Sequence, residues 1–141
     1  MRHNKTISLA IALCVTAFFT IGSLPSVSAS TPSPVTITAT YDFSTFPDVT
    51  GTFVTTGALT ISGDTTMHVE LNENGTRAHC VVTLIAPDGA VIIHQECQFA
   101  TRPPMGRWQI VSGTGAYANL RGTGSLTMPP DTEAMTGVIY Q

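Results

Sequence analysis

Apolar and polar residues alternate along most of the chain after residue 34. Val35-Thr-Ile-Thr-Ala-Thr-Tyr41 alternates strictly, the period-two pattern of a strand with one face buried. The same pattern recurs over 57–63, 66–72, 77–85 and 90–99, around Trp108 and Ile110, at Leu126 and Met128, and over 134–140. Turn formers separate these segments: Asn74-Gly75, Ala86-Pro-Asp-Gly89, Pro103-Pro104 and Pro129-Pro130-Asp131. The stretch 43–56 is less regular. Pro47 and Gly51 interrupt it, and it reads as a loop across one end of the fold. After residue 34, only Ala116 to Leu120 suits even one helical turn. The expectation is an all-β domain, an eight-stranded antiparallel β-barrel. Eight strands close a barrel that side chains fill, or that holds one small ligand.

Parity assigns the faces. The apolar positions place Val35, Ile37, Tyr41, Met67, Val69, Cys80, Ile93, Cys97, Phe99, Trp108, Leu126, Met128, Met135 and Ile139 inside, with Gln95 as the one clearly polar member. No carboxylate falls on this face in the alternation as read. An apolar interior with one polar handle points to capture of a small apolar molecule. Tyr41, Gln95, Phe99, Trp108 and Met128 are its candidate binding residues. The same side chains also read as a filled core.

Two hairpin registers can be written down. A two-residue turn at Asn74-Gly75 sets Val69 opposite Cys80. A four-residue loop from Pro87 to Ala90 sets Cys80 opposite Cys97. Both cysteines then lie on the inner face, and in an exported protein such a pair reads as a disulfide. On the outer face the same registers gather His68, Glu70, His79 and Glu96. Imidazole and carboxylate are zinc ligands. An open sheet surface rarely supplies the surrounding partners of a metal centre, so these four read first as cross-strand His–carboxylate pairs. Val81, Ile85 and Ile92 form an outer apolar patch that suits a homodimer contact.

The first 29 residues read as a signal peptide. Arg2 and Lys5 precede an apolar run from Ile7 to Leu24, and Val27-Ser28-Ala29 is a small-residue cleavage site. Residues 30–34 are then a tether and 35–141 a single domain, secreted to the extracellular space or periplasm and free of the membrane after cleavage. Beyond residue 29 the chain has four arginines, no lysine and nine acidic side chains, a formal charge of −5. Such a surface repels nucleic acid, and the lack of lysine excludes Schiff-base chemistry. The sequence carries no phosphate loop and no G-x-S-x-G elbow. No cofactor is expected.

The stretch from Arg107 to Met128 runs strand, Gly113-Thr-Gly115, Tyr117, a short apolar turn, Arg121-Gly122-Thr-Gly124, strand. It resembles the corner of the allene-oxide-cyclase-like barrels, a family that includes the dirigent proteins. The resemblance implies the barrel fold. It also implies an activity of the cyclase or isomerase kind, in which a shaped barrel folds an apolar substrate and few reactive groups are needed. It transfers no catalytic residue to this chain. Three readings therefore stand: a small-ligand binder, a cyclase or isomerase, and a surface interaction module.

Overall fold

A computed structural model describes residues 30–130 and 132–141; the signal-peptide reading lies outside the described residues. Eight strands follow one another as a meander: β1 (Ser33–Asp42), β2 (Asp48–Gly57), β3 (Ser62–Leu71), β4 (Arg77–Ala86), β5 (Gly89–Gln98), β6 (Met105–Gly113), β7 (Arg121–Thr127) and β8 (Glu133–Tyr140). Each pairs antiparallel with its neighbour, and β1 pairs with β8 to close the barrel. The expected eight-stranded antiparallel barrel is therefore the observed fold.

One strand was misplaced. The stretch 43–56 holds β2, not a long loop, and 57–63 is largely the turn into β3. In β2 the inward positions are Val49, Gly51, Phe53 and Thr55. A glycine and a threonine among them hide the alternation. Thr55 is wholly buried, yet its hydroxyl is satisfied. Its Oγ1 donates to the Leu59 carbonyl at 2.7 Å and accepts from the Ile61 amide at 2.9 Å. The side chain thereby holds the β2–β3 turn, and burying it leaves no polar group unpaired.

A meander sends alternate connections to opposite ends of the barrel. Connections β2–β3, β4–β5 and β6–β7 share one end. Here a short 3₁₀ turn, Gly115–Tyr117, folds inward, and Tyr117 and Leu120 are buried as a plug. The β4–β5 hairpin is clamped to it. Ala116 donates to the Asp88 carbonyl at 2.9 Å, and Thr114 donates to the Ala90 carbonyl at 2.8 Å. The backbones approach so closely that a Cβ on Gly89 or Gly115 would overlap the opposite carbonyl. Both glycines also have positive φ, which L side chains rarely adopt. The Gly113-Thr-Gly115 element is thus one side of a corner, as expected. Gly122 and Gly124 lie within β7 and serve packing instead.

The waist of the barrel is filled. Trp108, Ile93, Val82, Leu84, Leu126 and Met135 are all nearly inaccessible. Trp108 lies over Gly124 and Gly137, which face each other across β7 and β8. A Cβ on either would fall 2.7 Å from the indole. The indole Nε1 donates to the Ser125 carbonyl at 3.1 Å. These two glycines make room for the largest side chain of the core, an instance of large and small residues interdigitating at high density.

Candidate functional site

The connections β1–β2, β3–β4, β5–β6 and β7–β8 surround the other end, which is not plugged. Residues Phe43–Thr45 form a second short 3₁₀ turn, capped by the Asp42 carboxylate accepting from the Ser44 amide at 2.9 Å. The turn lifts Phe43 and Phe46 to the rim, where both are about half exposed. With Met67, Val69, Leu71, Cys80, Phe99 and Met128 they line an apolar recess of about 290 Å³. A smaller chamber of about 50 Å³ adjoins it, lined by Tyr41, Phe43, Met128, Pro129, Thr132 and Glu133. Phe43 and Met128 line both spaces and so form the partition between them. A larger concavity, about 650 Å³, runs over the outside of β1 to β3 past Thr40, Thr50, Thr52 and Thr66. It is shallow and open, and although Tyr41 and Thr65 reach it, the Glu133 carboxyl lines the mouth instead, so the mouth is the better candidate.

Glu133 stands where the mouth meets the filled waist. It is 1 % exposed, the only charged side chain of the core among the described residues. One carboxylate oxygen accepts from Gln95 Nε2, and that same nitrogen also reaches Met135 Sδ at 3.3 Å. The other oxygen, Oε2, has no partner among the described residues. Tyr41 Oη, Thr65 Oγ1 and Gln95 Oε1 likewise lack a well-formed hydrogen bond, although Tyr41 lies close enough to Thr65 and Glu133 for both to act on its proton. These four oxygens come from β8, β1, β3 and β5. Buried polar atoms are rarely left unpaired, and such a group calls for a water, an ion or a ligand.

Burial pushes the Glu133 carboxyl up to about 7, against the lowering effect of its contacts with Gln95 and Tyr41. Desolvation disfavours the charged form and here outweighs the hydrogen bonds. Tyr41 is half-buried with its hydroxyl enclosed. Burial, and after it the nearby Glu133 charge, push the phenol well above its ordinary value. At neutral pH the site thus holds a carboxyl divided between its two forms and a phenol that keeps its proton.

Glu133 corrects the sequence reading, which found no inward carboxylate. Its parity matches Met135 and Ile139, both buried, and it pairs across the closing seam with Ala39. Beginning β8 at residue 134 hid it. Of the expected binding residues, Tyr41 and Met128 line the small chamber, Met128 and Phe99 line the recess, and Gln95 holds Glu133. Trp108 lines neither space and belongs to the filled waist.

The cysteines also differ from expectation. The β3–β4 register is as read, with Val69 opposite Cys80. The β4–β5 hairpin turns through Pro87 and Asp88 alone, with Ala86 opposite Gly89. A two-residue turn shifts the register by two. Cys80 therefore faces Gln95, and Cys97 faces Ala78. Both are buried free thiols. They point inward as diagonal neighbours, and hydrogen bonding with Cys80, followed by burial, pushes the Cys97 thiol far up.

The same shift rearranges the outer face. Glu70, His79 and Glu96 now share one row, and His94 replaces Glu96 opposite Val81. His79 Nδ1 lies 3.0 Å from Glu96, and the rings of His79 and His94 meet edge to face at 5.1 Å. His68 turns away toward Asp48 at 2.5 Å, with Glu70 at 3.8 Å. The Asp48 hydrogen bond raises the His68 pKa above its ordinary value. Among the described residues, no three or more His, Cys, Asp or Glu side chains stand close enough to hold a metal ion. His68, Glu70, His79 and Glu96 are divided into pairs on adjacent strands, and Asp48 was the partner missed. Val81 and Ile92 are half-buried on this face, and Ile85 is 45 % exposed.

The fold and site define a closed antiparallel barrel with one plugged end and an apolar mouth over a buried carboxyl. No protein-family model matches the chain, and no curated protein matches it.

Proposed function

We propose that this protein is a secreted barrel that takes a small apolar molecule into its open mouth, with one polar group of the ligand directed at Glu133. The observation that carries this reading is the buried Glu133 carboxyl, which with Tyr41 lines a small chamber adjoining an apolar recess of about 290 Å³. Small-molecule sites have this composition, a mostly apolar wall with a few convergent polar groups that set orientation. Aromatic side chains on a short rim turn supply large contact area. Phe43 and Phe46 are about half exposed and stand outside the buried core. The filled waist limits a ligand to the mouth end.

Export supports a second statement about the same wall. In an oxidising compartment we propose that Cys80 and Cys97 join as a disulfide, since their thiols already adjoin. Cys80 lines the recess, so the bridge would stiffen one side of it. The resemblance to allene-oxide-cyclase-like barrels agrees with a barrel that shapes an apolar ligand.

Binding is tested by chemical-shift mapping and thermal shift with cyclohexanone and cyclohexane as probes. Shifts confined to Phe43, Phe46, Phe99, Met128 and their neighbours are expected, and Phe46→Asp should weaken them without altering the fold. Shifts on the outer face alone, or none with either probe, would overturn the reading.

A further inference from the structure

The polar end of the mouth is more than an anchor. Glu133 and Tyr41 both line the small chamber; each has an oxygen without a well-formed hydrogen bond, and the two side chains lie close enough to shift each other's proton affinity. The carboxyl is held on its other oxygen by Gln95, so its free oxygen has a defined direction. Phe43 and Met128 separate this chamber from the recess. Phe43 is half exposed, and methionine is unbranched and adaptable. Reorienting those two side chains joins the spaces and brings a ligand in the recess to the free oxygens.

We propose that Glu133 and Tyr41 form a proton-transfer pair that shifts a carbon–carbon double bond in a small unsaturated ketone held at the mouth. This rests on the binding reading above. A ketone fits because its oxygen only accepts hydrogen bonds and the rest of the molecule is apolar. In the first step the Glu133 carboxylate takes the proton from the carbon between the carbonyl and the double bond. The C–H electron pair becomes a new C=C bond, and charge moves to the carbonyl oxygen, where the Tyr41 Oη–H donates a hydrogen bond. In the second step the carboxylic acid returns the same proton to the far end of the dienolate. The product is the conjugated ketone, and no oxidant, metal or water is consumed.

The ionisation states suit both steps. A carboxyl displaced to about 7 serves as base and acid in turn near neutral pH, where general acid–base catalysis is most effective. A phenol held above its ordinary value stays neutral and remains a donor. Prearranged donors at a developing oxyanion give large rate effects in enclosed sites. Cys80 and Cys97 stand nearby, but joined as the proposed disulfide they offer no competing base.

The test uses 3-cyclohexen-1-one as substrate and unreactive cyclohexanone as binding probe, with conversion followed by the absorbance of 2-cyclohexen-1-one. The unmodified protein should isomerise the substrate above the buffer rate, with activity rising through about pH 7. Glu133→Gln should lose at least about 100-fold, and Tyr41→Phe roughly 100-fold. Both variants should still bind cyclohexanone, Tyr41→Phe more weakly for want of its hydrogen bond. In deuterated water most of the product should keep its own hydrogen, because Glu133 returns the proton it removed. Cyclohexanone bound without isomerisation, or full activity in Glu133→Gln, would overturn proton transfer and leave binding intact. Failure of the unmodified protein to bind cyclohexanone would overturn both readings.

Discussion

Replacing Glu133 by glutamine removes a group whose ionisation the fold resists. The carboxyl is displaced from 4.5 to about 7 by burial. Below pH 4.5 it is protonated in both the folded and unfolded states and contributes no pH dependence. Between 4.5 and about 7 the unfolded chain has lost the proton while the folded chain retains it. The folded state then binds more protons, so stability falls as pH rises. At about 1.4 kcal/mol per pH unit, this window amounts to about 3 kcal/mol. A domain of this size has total stability on the order of 5–15 kcal/mol, so the loss is measurable. The assay is urea unfolding at pH 5 and pH 8. The unmodified protein should have the lower midpoint at pH 8.

A second group titrates with the same sign. His68 is raised by Asp48, so its contribution is complete below its unfolded pKa and is lost as pH rises through the folded one. His68 is exposed, however, and exposed ion pairs contribute little. The difference between the unmodified protein and Glu133→Gln cancels it. Glutamine should flatten the dependence and exceed the unmodified protein at pH 8 by about 3 kcal/mol, while the two differ little at pH 4. Equal slopes in the two proteins would refute the displaced carboxyl.

Gly137→Ala should destabilise by about 1–3 kcal/mol, read by urea unfolding with a change in Trp108 fluorescence, because its Cβ meets the indole at 2.7 Å. Asp48→Asn should lower the His68 pKa, followed by NMR titration of the imidazole, because the Asp48 hydrogen bond is the main cause of its rise. Native protein recovered from an oxidising compartment should yield no alkylatable thiol after residue 29. Reduction should cost on the order of 3 kcal/mol, and two free thiols in that material would exclude the bridge. Tyr117→Ala should remove the plug at the closed end and cost about 3–5 kcal/mol by thermal or urea unfolding.

What was legible in the chain was set by side-chain periodicity and turn chemistry. Strict alternation in β1, β4 and β5 leaves no other face to bury, and Asn74-Gly75 carries its own turn geometry. The barrel and the β3–β4 register follow from those local facts. The β2 strand was hidden because Gly51 and Thr55 sit at inward positions, where parity looks for apolar groups. Thr55 is tolerated only because the Leu59 and Ile61 backbone meets its hydroxyl, a contact made across a turn. The Pro87–Asp88 hairpin was misread by two residues because Ala86-Pro-Asp-Gly89 is compatible with two loop lengths. What settles it is the clamp from Ala116 to the Asp88 carbonyl, formed by a segment nearly thirty residues on.

The buried carboxyl was missed for a related reason. A glutamate at the first residue of a strand reads as the end of a polar turn, particularly after Pro129-Pro130. Its burial depends on barrel closure, which brings β8 against β1 and sets Glu133 opposite Ala39. Only then do Tyr41, Thr65 and Gln95 enclose it. Each of these side chains is ordinary on its own strand. The site exists because four strands far apart in sequence converge at one depth in the barrel. Periodicity gives the face of each residue, but the depth follows from register, and register at the closing seam is the last thing a linear reading supplies. The consequence for chemistry is direct. A core that looked apolar apart from Gln95 in the sequence contains a carboxyl near neutrality, and burial among apolar side chains supplies the desolvation that holds its proton.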